Sequence, residues 1–79
     1  MYYTKTLIEF AKQRGAPDPE ANAAIWNKIM DLLQADAVEH HKYRPETLEK
    51  VSRLLEQLTN PSMRKDIEAI ITNICVPPD

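Results

Sequence analysis

The stretch Asp36-Ala37-Val38-Glu39-His40-His41-Lys42-Tyr43-Arg44 gathers both histidines of the chain with charged and aromatic groups. Asp36 and His40 stand four apart, so a continued helix would aim both at one metal ion. Adjacent His40 and His41 diverge, however, and no second segment supplies a matching pair, so no metal site is expected. Histidines near a helix C-terminus are also favoured by the negative end of its dipole. Lys42, Tyr43 and Arg44 offer charge beside a stacking ring, the combination single-stranded nucleic acid uses. The run is short, though, and the acidic segment before it repels phosphate. It reads more simply as an interhelical loop with Tyr43 folded over the end of the domain.

Other groups offer less. Cys75 is the one cysteine. A catalytic thiol needs a base and an electropositive pocket, and nothing in the pattern brings His40 or His41 to it, so Cys75 reads as a small packing residue. Twelve carboxylates are present but only one glycine, so a glycine-rich phosphate loop is excluded. A helical domain of this size has little room for a concave substrate pocket. No enzyme activity and no cofactor are expected.

The elements that position these residues are marked by proline. Proline suits the first turn of a helix and breaks its interior. Pro17, Pro19, Pro45, Pro61, Pro77 and Pro78 leave 20–44, 46–60 and 62–76 free of it. Four helices follow. The first spans about Thr4 to Arg14, capped by Thr4 with a Tyr3–Ile8 staple or by a Thr6–Glu9 capping box, and ended by Gly15. Asp18 caps the second, which runs from Pro19 to about His40. The third opens at Pro45, and Asn60-Pro61 separates it from the fourth, which reaches Cys75 or Val76.

Aligned on their opening prolines, the last three helices carry Ile25, Val51 and Ile67 at one offset. Ile29, Leu55 and Ile71 follow four residues on, then Leu32, Leu58 and Ile74 three further. That is one apolar helical face found three times. The prolines are spaced 26 and then 16 apart, so no common repeat length supports a solenoid. Short connections favour a compact all-α bundle of about four short helices in one domain over 1–79, with helices 3 and 4 as an αα-hairpin.

Helix 2 has a second stripe, Ala23, Trp26, Met30, Leu33 and Ala37, roughly 100° from the first at 3.6 residues per turn. Either it is the central helix, touching all the others, or Trp26, Met30, Leu33 and Ala37 form a contact patch. Trp and Met are over-used at interfaces.

At 79 residues the chain buries only about 60–65% of its unfolded surface, so a partner would supplement a thin core. Its net charge is −2, against duplex nucleic acid as the main ligand. Residues 1–15 sum to +2, 16–39 to −4 and 40–44 to +2. One cysteine and no apolar run of membrane-spanning length suggest the cytoplasm. The expectation is a protein-interaction module of regulator, adaptor, inhibitor or chaperone type. It would bind another protein, or itself as a homodimer, through helix 2, with Asp31, Asp36 and Glu39 steering a basic partner. The alternative is a nucleic-acid-associated regulator that joins the 42–44 loop to the basic first helix (Lys5, Lys12, Arg14).

Overall fold

A computed structural model of the chain describes the backbone from Tyr2 to Cys75 and the side chains from Tyr2 to Thr72. Among these residues there are four helices and no strand: α1 (Lys5–Gln13), α2 (Pro19–His40), α3 (Pro45–Gln57) and α4 (Pro61–Cys75). The expectations for Ile74 and Cys75 as packing residues, and for Pro77-Pro78 as a stop, lie outside the described side chains and backbone.

Pro19, Pro45 and Pro61 are each the first residue of a helix. Thr4 caps α1 by accepting the Leu7 N–H at 3.3 Å, so the Thr4 cap is the one realised. Gly15 leaves α1 with φ 77°, the left-handed value that a side chain disfavours. Asn60 Oδ1 accepts the Ser62 N–H at 3.0 Å and caps α4. One cap differs from expectation. Asp18 has left-handed backbone (φ 39°, ψ 57°) and makes no side-chain cap bond; its Oδ2 lies 3.5 Å from the Thr59 hydroxyl instead.

α2 packs most closely on α3, then on α1. The core is built from Trp26, Ile29, Met30 and Leu33 of α2, Val51 of α3, Leu58 just beyond it, and Met63 and Ile67 of α4. A link of only three residues, 58–60, joins α3 to α4, the tight connection that an αα-hairpin requires. On the surface of α3, Glu49 and Arg53, four residues apart, meet at 2.8 Å. Glu46 pairs with Arg44 rather than Lys50, and Arg64 donates to the Leu58 carbonyl at 2.8 Å.

Two buried polar side chains hold the layers in register. Asn22, fully buried, accepts the Thr59 N–H at 3.0 Å and donates to the Pro17 carbonyl at 2.8 Å and the Thr59 hydroxyl at 2.9 Å. It thereby ties both connections at one end of the domain to α2. At the other end Asp36 does the same for the α2–α3 connection. Among the described residues no buried side-chain polar atom lacks a partner.

Candidate protein-binding surface

The patch expected on α2 is not a surface. Trp26 is 2% exposed, Leu33 3% and Met30 8%, and Ala37 is half-buried. Four neighbours consume the apolar arc of α2. The Tyr3 ring meets Trp26 edge-on, with centroids 5.3 Å apart and planes at 85°. Tyr43 closes over the core, and α3 and α4 supply the rest. The second stripe, not Ile25 and Leu32, is the deeper one. The central-helix reading therefore holds, and Trp26, Met30 and Leu33 stabilise the fold.

The expected steering charges separate as well. Asp36 is buried and satisfied. Its Oδ1 accepts from Arg44 Nε at 3.1 Å and Nη2 at 2.9 Å, and its Oδ2 from the Arg44 backbone N–H at 2.9 Å. The Arg44 guanidinium, with the Thr47 hydroxyl and the Arg44 amide, holds this carboxyl well below its ordinary value. Asp36 is thus a structural ion-pair member. Asp31 is exposed but accepts the Tyr2 hydroxyl at 2.7 Å, which raises the Tyr2 phenol above its usual range. Glu39 is exposed, with His40 Nε2 at 3.7 Å.

Apolar surface is displaced onto α1. No residue of α1 is buried; Ile8 and Ala11 are half-buried, while Leu7 is 38% and Phe10 52% exposed. Leu7, Phe10 and Arg14 follow helical spacing along one side, and the Arg14 guanidinium lies 4.5 Å over the Phe10 ring. The helix is tethered by its ends. Ahead of it, the Tyr3 N–H donates to Asn27 Oδ1 at 2.8 Å while Asn27 Nδ2 donates to the Tyr3 carbonyl at 3.1 Å. Tyr2 adds a second bond, to Gln34 at 2.9 Å. Near its far end Lys12 pairs with Glu20 of α2. Helical spacing aligns Tyr3, Leu7, Phe10 and Ala11, but spacing does not say which of them a neighbour covers. Ile8 and Ala11, one turn apart, form the half-buried side of α1, and Leu7 and Phe10 stand outside it.

Besides Tyr2, the other exposed large hydrophobic side chain among the described residues is Val38, at 70%. It lines an open depression of about 630 Å3 with Tyr2, Asp31, Gln34, Ala35 and Glu39. Among the described residues no three His, Cys, Asp or Glu side chains gather for a metal, and no helix is long and apolar enough to cross a membrane.

The two basic segments are not brought together. Lys12 lies beside Glu20, and Arg44 beside Asp36. At 1.5 Å per residue these anchors are about 24 Å apart along α2. Lys12 and Arg44 are, besides, each engaged by two carboxylates. No known protein family, curated protein or solved structure matches this chain.

Proposed function

We propose that the protein works by stoichiometric binding of another protein through the outer face of α1, as a regulator, adaptor, inhibitor or chaperone does. The observation that carries this reading is the exposure of Leu7 and Phe10 on an amphipathic helix with no buried residue. A helix kept only for stability would turn such side chains inward, because burying one fully is worth roughly 1.5–3 kcal/mol. The partner would cover Leu7 and Phe10 with apolar side chains and present a carboxylate to Arg14. This reverses the charge expected from sequence, because the open apolar residues sit on the basic helix, away from the acidic part of α2. A single thiol suits a reducing compartment, so the cytoplasm is the setting proposed for this binding.

The test is a tagged pull-down, followed by titration of the captured partner against Leu7→Ser/Phe10→Ser. The still-exposed part of each side chain is worth on the order of 1 kcal/mol, so the double variant should bind about 30-fold more weakly. Its melting temperature should stay within a few degrees of the parent's. Undiminished binding would overturn the reading.

A further inference from the structure

The outward side of α2 carries Ala24, Lys28, Leu32, Ala35 and Glu39 at helical spacing. Leu32 is half-buried and the other four are exposed. Leu32 and Leu54 line a depression of about 260 Å3 between α2 and α3, with Lys28, Lys50 and Arg53 around it. Among the described residues neither Lys28 nor Lys50 has an ion-pair partner. Ala35 and Glu39 lead from this basic depression into the open acidic one lined by Asp31 and Val38.

Four of these positions, Lys28, Leu32, Ala35 and Glu39, are symmetric about a point between Leu33 and Gln34. Lys28 and Glu39 are equidistant from it, and so are Leu32 and Ala35. A second α2 laid antiparallel across the first would therefore set each of these four against another of them. Lys28 would face the partner subunit's Glu39, and Leu32 would face the partner's Ala35.

We infer that the protein forms a two-fold symmetric homodimer through an antiparallel α2–α2 contact, with reciprocal Lys28–Glu39 pairs flanking a Leu32–Ala35 centre. Such an interface is self-complementary, as a two-fold requires. The carboxylate of the partner's Glu39 enters the depression bounded by Lys28, Lys50 and Arg53. The small side chain at Ala35 lets the helices approach to about 8 Å, the close end of helix packing. A second copy is favoured over an unrelated acidic peptide because one stripe supplies both signs at mirrored positions. The interface uses no residue of the α1 face and stands apart from the binding proposed there.

The experiment is sedimentation equilibrium on the full chain from 1 µM to 1 mM in low salt, with charge reversals. The parent should dimerise, and Lys28→Glu and Glu39→Lys should each raise the dimer Kd at least ~10-fold. The combined Lys28→Glu/Glu39→Lys variant restores opposite charges across the two-fold but leaves Lys50 and Arg53 beside the new lysine. It should therefore recover part of the loss and dimerise more tightly than either single variant. Both residues are exposed, so circular dichroism should show all variants folded. Leu7→Ser/Phe10→Ser should leave the dimer Kd unchanged. A parent monomeric at 1 mM, a double reversal no tighter than the single ones, or a dimer lost with the α1 variant would each overturn the inference.

Discussion

Asp36 of α2 and Arg44 at the start of α3 close the α2–α3 connection with three hydrogen bonds, two from the guanidinium to Oδ1 and one from the backbone amide to Oδ2. Arg44 precedes Pro45, which disfavours helical backbone at Arg44 and leaves it extended at φ −76°, ψ 150°. The proline shapes the turn, and the carboxylate satisfies the amide the turn exposes. Thr47, buried in the first turn of α3, adds a fourth hydrogen bond to the same carboxyl.

The pH dependence of stability follows from this pair. The Asp36 carboxyl lies below its ordinary value of 3.8 in the folded chain because Arg44 binds the charged form. Below pH 3.8 the unfolded chain binds a proton that the folded chain refuses, so stability falls as pH falls toward the folded value. The melting temperature should drop steeply between about pH 4 and pH 2. Asp36→Asn, which leaves the guanidinium without its counter-charge, should melt on the order of 10 °C lower at pH 7 and show a flatter acid limb. Thermal melts by circular dichroism from pH 2 to 7 check both; parallel acid limbs would remove Asp36 as the cause.

Asn22→Ala strips three hydrogen bonds from one buried side chain and leaves the Thr59 amide and the Pro17 carbonyl without that partner. A typical net hydrogen bond is worth about 0.5–1.5 kcal/mol, so losing three should cost about 2 kcal/mol or more. Urea unfolding measures it, and Asn22→Asp, which buries a carboxylate against the Pro17 carbonyl oxygen, should lose at least as much.

Helix starts were legible because proline acts locally: Pro19, Pro45 and Pro61 restrict φ whatever packs against them. Gly15 and Thr4 were legible for the same reason. The burial of Trp26 was not, because its cover comes from Tyr3, outside α2, and from α4. Nor was the fate of Asp36. A carboxylate on a helix reads as solvated until its partner, eight residues on and past a turn, is known to fold back over it. Asn22 meets Thr59 across 37 residues of chain, beyond the reach of any local pattern. The surface on α1 stayed hidden because spacing shows that a helix has an apolar face, not how much of that face its neighbours cover.

His41 ends α2 with φ 57°, a left-handed backbone that a non-glycine residue adopts at a cost of about 1 kcal/mol. His41→Gly removes that cost, partly offset by the greater freedom glycine has when unfolded. The melting temperature should rise by about 2–5 °C, with the Asp36–Arg44 closure intact. A fall would mean that the His41 side chain contributes more than its backbone strain.

α1 is held through the strap before it, so its motion should be separable from that of the core. Asn27→Ala leaves the Tyr3 amide and carbonyl to water and frees the ring that edges onto Trp26. The amides of residues 5–13 should then exchange with solvent at least ~10-fold faster. Those of Ile29 and Val51, in the most buried part of the core, should change far less, by the global loss of about 1 kcal/mol that two part-buried hydrogen bonds allow. Trp26 emission should shift to the red as its edge opens. The comparison separates two causes of α1 order. If its amides keep their protection in Asn27→Ala, then Ile8, Ala11 and the Lys12–Glu20 pair seat the helix without the strap, and the Leu7–Phe10 face is a fixed platform. If protection is lost while the core keeps its own, α1 is a hinged element whose presentation to a partner depends on one asparagine.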